Sequence, residues 1–312
     1  MKVSVVISTY NGKDYLYEQL DSIRDQSLKA DEVLFFDDGS KDDTVQMISD
    51  YIAENHLEES WKVTVNEKNL GYANNFHKAM MAAHGDYIFF ADQDDIWMKQ
   101  KLEKTVAVME QHPEIKLLCS DYEPFSCAEN APEVPAKMMN RMKNDGSLEK
   151  LELSTKNMYI ASIGCVMCIS RQFRDAAEPY WKEGWAHDDY VWKLAQCQDG
   201  CYFYHEALIR RRLHGHNVSM KKLHSYDARM DLFINLKGAH TQMLQYAKDH
   251  SLGPETIHML ERYIRADEMR RELLQDKKFS NCFKLLSYAD CYHSPKSLLV
   301  EPYMALKFRN RH

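Results

Sequence analysis

Along residues 1–95, apolar runs alternate with amphipathic stretches, and each apolar run ends on polar residues. Val3–Ser8 is a short β-branched run that stops before Tyr10-Asn11-Gly12. Leu16, Leu20 and Ile23 then recur at the spacing of one helix face, to about Gln26. Glu32–Phe36 reads as a second buried strand ending at Asp37-Asp38-Gly39-Ser40, with Ser40 as N-cap of a helix from about Asp43 to Asn55. Trp61–Asn66 is a third strand and Ala73–Ala83 a helix; Asp86–Ala91 is a fourth strand, stopping at Asp92-Gln93-Asp94-Asp95. Strands alternating with helices predict right-handed crossovers and an α/β fold with a mainly parallel central sheet. Ligands of such sheets bind beyond the carboxyl ends of the strands. Thr9-Tyr10-Asn11, Asp37–Ser40 and Asp92–Asp95 all fall there.

Further along, 126–150 is loop-like around Pro132 and Pro135, Ile160–Ile169 is an apolar segment, and Asp188–Ala195 reads as a helix. From about Ser225 the pattern is helical, through Met230, Phe233, Ile234 and Leu236 and later Ile257, Leu260 and Ile264. The expected organisation is an α/β domain over 1–220 and a helical C-terminal region over 221–312.

Composition changes this picture little. The chain has 312 residues, 45% hydrophobic and 28% charged, enough to bury a core without disulfides. No apolar run approaches the ~20 residues that span a bilayer, and the N-terminus lacks a signal-peptide pattern. A cytoplasmic location with reduced cysteines is the expectation. Charge is uneven: 205–312 hold 19 Lys and Arg against 12 Asp and Glu, and 1–204 hold 21 against 35. An acidic first part argues against nucleic-acid binding. The basic C-terminal part suits an ordinary solvated helical surface, a homodimer contact, or peripheral contact with anionic lipid at the inner face of the plasma membrane.

Asp92 and Asp94 set two carboxylates at alternate positions after a buried strand. Mg²⁺ or Mn²⁺ favours such oxygen ligands and keeps positions open for phosphate. Asp38 offers an acceptor for a pyrimidine N–H, although the same four residues also make a turn and cap. Asn69-Leu70-Gly71-Tyr72-Ala73-Asn74-Asn75 precedes a helix, where backbone and amide donors meet phosphate.

Together these segments resemble the family 2 glycosyltransferases, which have the GT-A fold. VSVVISTYNG at 3–12, VLFFDDGSKDDT at 33–44, NLGYANNFHKA at 69–79 and GDYIFFADQDDIW at 85–97 carry the likeness. AHDDYVWKLA at 186–195 and RRRLHGHNVS at 210–219 extend it, and are similar to the bacterial rhamnosyltransferase-like branch. The resemblance implies that Thr9 and Asp38 hold the nucleobase, and that Asn69 and Asn75 lie near the nucleotide. It implies Asp92 near the ribose, Asp94 as main metal ligand, His214 on the metal or diphosphate, and Arg212 beside it. Asp188 matches the catalytic base with His187 where Glu is usual, and Asp189 is its rival by one residue. The implied reaction is inverting, metal-dependent transfer of rhamnose from dTDP-rhamnose, or of a hexose from a UDP-hexose, to a glycan or lipid-linked glycan precursor of the cell surface. The alternatives are a non-catalytic nucleotide-sugar-binding protein and a Mg²⁺-dependent phospho- or nucleotidyltransferase; the second would need a glycine-rich phosphate loop after the first strand.

Cys165-x-x-Cys168 with Cys197 and Cys201 mimics a zinc set, but the first pair sits in an apolar segment where small buried thiols are expected. Trp185, just before the Asp pair, is the tryptophan best placed to stack on a sugar.

Overall fold

The computed structural model describes residues 1–126, 131, 133–134, 136–215 and 225–308. Pro132, Pro135 and residues 216–219 of the RRRLHGHNVS segment lie outside them. The chain divides into two compact units. One comprises Met1–Glu152, Ile160–Pro179 and Glu183–Val218; the other comprises Leu153–Tyr159, Tyr180–Lys182 and Ser219–His312.

The first unit begins with β1 (Val3–Thr9), α1 (Leu16–Arg24), β2 (Glu32–Asp37), α2 (Thr44–Glu54), β3 (Trp61–Val65), α3 (Tyr72–Ala82) and β4 (Tyr87–Ala91). These follow the sequence pattern to within a residue or two. Ser40 does not cap α2: Asp43 holds the N-cap position, and the Ser40 hydroxyl donates to Asp37 Oδ2 at 2.6 Å. After β4 come β5 (Ile96–Trp97), α4 (Lys101–Gln111), β6 (Leu117–Ser126), α5 (Ala136–Met139), β7 (Leu148–Lys150), β8 (Met167–Ser170), α6 (Arg171–Ala177), α7 (His187–Cys197) and β9 (Cys201–Leu213). The stretch 126–150 is thus not loop throughout, since α5 and β7 lie in it.

Among the described residues the sheet has nine strands, ordered β3-β2-β1-β4-β8-β6-β9-β5, with β7 also on β9. The β3-β2-β1-β4 half is parallel, as the alternation of strands and helices requires. Beyond β4 the sheet is mixed. β8 runs antiparallel to β4 and β6, β6 pairs β9 in parallel, and β5 and β7 run antiparallel to β9. Val3, Val5, Val6, Ile7, Phe35, Phe89 and Phe90 are buried, the continuous apolar pattern of strands covered on both faces. Parallel pairing brings the ends of β1, β2 and β4 to one rim: Thr9 is level with Asp37, and Ile7 with Ala91.

In the second unit, α8 (Tyr226–Asp249) starts at Ser225, whose hydroxyl accepts the Ala228 N–H at 3.1 Å. α9 (Pro254–Gln275) begins on Pro254, which needs no N–H partner there. Phe233, Leu236 and Met243 of α8 and Leu260, Tyr263 and Met269 of α9 are buried, and the two helices pack together. α10 (Asn281–Leu285) and α11 (Ser297–Lys307) both lie against α9. Buried charges are matched here: Arg270 donates to both oxygens of Glu301 at 3.1 and 2.7 Å, and His240 Nδ1 lies 2.7 Å from Asp267. No helix among the described residues is long and apolar enough to cross a membrane.

Candidate functional site

The three strand-end loops are stitched by backbone donors. The Tyr10 N–H donates to Gln93 Oε1 at 2.8 Å, that of Asn11 to Ser40 Oγ at 2.8 Å, and that of Gly12 to Thr44 Oγ1 at 2.8 Å. A Cβ on Gly12 would overlap the Gln93 amide, so a larger residue there would displace the Gln93 side chain from Tyr10.

Around β2 the expected nucleotide contacts hold one another. Thr9 is fully buried and its hydroxyl donates to Asp37 Oδ2 at 2.9 Å. Asp37 also accepts the N–H groups of Gly39 and Ser40 at 3.0 and 2.8 Å. Asp38 Oδ1 accepts Asn66 Nδ2 at 2.9 Å and the Leu70 N–H at 2.7 Å; Oδ2 accepts the Gly71 N–H at 2.8 Å. Asp38 therefore clamps residues 66–71 and retains acceptor capacity on Oδ2. Exposed Asn69 donates to the Asp38 carbonyl at 3.0 Å. Asn75 differs from the expectation. It is fully buried, and both its amide hydrogens are spent, on Ser8 Oγ and the Phe36 carbonyl at 2.7 Å each. Asn75 and the Thr9 hydroxyl thus fix the loops.

The second group lies past β4. His214, at the end of β9, sets Nε2 at 2.7 Å from Asp94 Oδ2. Arg212 donates from its backbone to Asp95 Oδ1 and from Nε to the Asp94 carbonyl, both at 2.9 Å, and its guanidinium pairs with Glu18. Asp92, Asp94, Arg212 and His214 are thus gathered as the sequence suggested, but the Arg212 side chain is buried and serves the acidic turn. Burial, then the neighbouring Asp94 and Asp95, pushes the Asp92 carboxyl well up; burial and Asp94 do the same to Asp95. Buried Asp95 Oδ2 has no hydrogen-bond partner among the described residues. Crowded carboxylates with an unmet acceptor, beside an imidazole, suit a hard divalent cation. Ligand atoms of Asp92, Asp95 and Cys165 also lie within 4.8 Å of one another. Burial raises the Cys165 thiol well above its ordinary value, so it stays protonated and is a poor partner for Mg²⁺ or Mn²⁺.

Three features here were not singled out in the sequence: Asp95, buried Arg211 beside Asp92 and Asp95, and buried Lys101, whose ammonium reaches the Cys165 carbonyl at 3.4 Å. Burial lowers Lys101 to about 8. A charged run inside a strand and a lysine opening an amphipathic helix look solvated in one dimension.

α7 packs on α3 and β4 through His187. Its ring stacks on Phe76 at 3.9 Å, lies 5.1 Å from Phe90, and fills the space a Cβ on Gly164 would take. Burial lowers His187 to about 3, and neither ring nitrogen has a partner among the described residues. It is a neutral packing residue and does not orient Asp188. The two aspartates that follow have different fates. Asp189 accepts Trp185 Nε1 at 2.8 Å and pairs with the buried Lys193 ammonium. Trp185 is accordingly buried, edge-on to Tyr190 at 5.3 Å, and not a stacking surface. Asp188 accepts the Asp189 N–H at 2.8 Å and forms no ion pair among the described residues. Burial, then Asp189, pushes Asp188 up to about 6.

Comparison with known proteins bears on the family and the fold. TuaG of Bacillus subtilis (strain 168), a glycosyltransferase provisionally named for teichuronic acid biosynthesis, is 37% identical over 107 residues, 34% of this chain. The match spans 41% of that relative's length. The crystal structure of S. aureus TarS 1-349 in complex with UDP-GlcNAc has a TM-score of 0.63 at 17% identity, covering 99% of this chain and 92% of that one. The mannosyltransferase PcManGT from Pyrobaculum calidifontis, in complex with GDP-Man and Mn²⁺, reaches 0.50 at 17% identity, covering 98% and 80%. These structures share the GT-A fold with the first unit's sheet and helices. Residues 4–160 match the family described as Glycosyl transferase family 2, and the chain belongs to that family.

Proposed function

We propose that the chain is an inverting, metal-dependent glycosyltransferase with Asp188 as general base. The observation that carries this reading is the unequal treatment of the aspartate pair. Trp185 and Lys193 occupy Asp189, while Asp188 keeps a carboxyl raised to about 6, close to the operating pH of a good base.

In the proposed step, Asp188 takes the proton of the acceptor hydroxyl as its oxygen bonds to the anomeric carbon. The bond from that carbon to the diphosphate oxygen breaks, and the nucleoside diphosphate leaves with the electron pair. Single displacement inverts the anomeric centre. Asp38 Oδ2 and Asn69 present acceptor and amide groups to the nucleobase side, and Asp92 lies toward the ribose. Thr9, Asn75 and Arg212 hold these groups in place. Asp94 and His214 would hold a Mg²⁺ or Mn²⁺ ion, which would supply charge neutralisation at the diphosphate.

The donor is dTDP-rhamnose or a UDP-hexose. The AHDDYVWKLA segment favours the first, and the UDP-GlcNAc bound by TarS favours the second. The name of TuaG supports a glycan or lipid-linked glycan of the cell surface as acceptor, and the Mn²⁺ with PcManGT supports the cation. In this reading 1–220 bind donor and catalyse, 221–312 serve packing, dimerisation or membrane contact, and the protein works in the cytoplasm, peripheral at the inner face of the plasma membrane.

The test is a thermal-shift screen of dTDP-rhamnose, UDP-glucose and UDP-GlcNAc with Mn²⁺ or EDTA, followed by NMR of the product's anomeric configuration. One donor should raise the unfolding midpoint only with Mn²⁺, and the product should be inverted. Equal stabilisation in EDTA removes the metal, and retained configuration removes single displacement.

A further inference from the structure

The second unit carries an apolar face that its own core does not use. On α11, Ser297, Glu301, Met304 and Ala305 are buried, while Leu299, Tyr303 and Leu306 are 79%, 62% and 59% exposed. At ~100° per residue the buried four share one arc of the helix and the exposed three the opposite arc. α10 packs beside α11, and on it and just after it Phe283 and Leu286 are 81% and 63% exposed. Isolated exposed apolar residues are ordinary, but a cluster on two adjoining helices is not.

The charge around this face is one-sided. Lys284, Lys296 and Lys307 are exposed. The neighbouring carboxylates are already taken: Asp290 by Arg262 at 2.7 Å, buried Glu301 by Arg270 at 2.7 Å, and Glu272 by Lys278 at 3.1 Å. On α11 the helical spacing puts Lys296 and Lys307 beside Tyr303, on the edge of its apolar arc. Resting on the peripheral location proposed above, we propose that the α10–α11 face docks in the plane of an anionic phospholipid bilayer, with Phe283, Leu286, Leu299, Tyr303 and Leu306 entering the interface and the three lysines meeting headgroup phosphates. A second copy is the poorer occupant. A twofold contact through this face would set the lysine rim against its own duplicate, whereas anionic headgroups complement it.

The full chain is tested by co-sedimentation with vesicles of phosphatidylcholine alone and of phosphatidylcholine doped with phosphatidylglycerol, without donor, so that the result is independent of turnover. Binding should require phosphatidylglycerol and weaken with salt. Each lysine near the surface is worth about fivefold, so Lys284→Glu, Lys296→Glu and Lys307→Glu together should lower partitioning at least about a hundredfold. Leu299→Glu with Tyr303→Glu should also release the protein, with unfolding midpoints unchanged because both positions are exposed. Absent binding, binding to pure phosphatidylcholine equal to that with phosphatidylglycerol, or both variants binding like the parent overturns the proposal. So does a dimer in analytical ultracentrifugation that Leu299→Glu dissolves.

Discussion

Two clusters of buried and half-buried acids in this chain are handled in opposite ways. In the helical unit, Glu301 and Asp267 are nearly fully buried, and each faces a cation or imidazole: Arg270 grips Glu301 with two hydrogen bonds, and His240 meets Asp267 at 2.7 Å. In the sheet unit, Asp92 and Asp95 are pushed toward the protonated state, and Asp95 Oδ2 lacks a partner among the described residues, although Arg211 stands beside both. The first cluster is matched in charge within the protein, although Asp267 Oδ1 meets Arg270 Nη1 only as an ion pair at 3.5 Å. The second is held together by the fold but not neutralised by it, which is the electrostatic state expected where a cation or a reacting group must bind.

The sharpest way to break this contrast is Asp188→Asn, which removes the base while keeping the shape. Turnover should fall about 10²–10⁴-fold with donor affinity by calorimetry unchanged. A normal kcat would take Asp188 out of the role. The same carboxyl sets a pH dependence. Raised to about 6, it is protonated and inactive below that pH, so kcat/KM should fall as pH drops through about 6 and level off above it.

Arg270→Met tests the helical cluster. It leaves Glu301 buried without its main partner and should cost about 3–5 kcal/mol in denaturant unfolding, because desolvation of the remaining charge is uncompensated. A loss below about 1 kcal/mol would mean that this pair is not structural. The smallest effect is expected from Asp92→Asn. Removing one of several crowded like charges should leave stability unchanged or raise it by about 1 kcal/mol, while metal-dependent donor affinity falls. Destabilisation of Asp92→Asn as large as that of Arg270→Met would erase the distinction between the two clusters.

The parallel half of the sheet was legible because β1, β2 and β4 are uninterrupted apolar runs closed by polar turns. The mixed half was not. β5 has two residues, and the 13-residue β9 carries buried Arg211 and Arg212 where an exposed run was the simpler reading. Asp94, His214 and Arg212 come together because β4 and β9 both end there. The burial of Asn75 was not legible, because a helix-start amide looks available until its neighbours Ser8 and Phe36 are known to consume it. The engagement of Asp189 had a signal in the chain: Lys193 lies four residues after it, the spacing of a helical ion pair.

Gly164 and His187 occupy one another's space, with the imidazole sitting where a Cβ would stand. Over evolutionary time those two positions are not independent letters. Bulk gained at 164 displaces the first turn of α7 unless volume is surrendered at 187, so relatives should exchange size between the two as a matched pair.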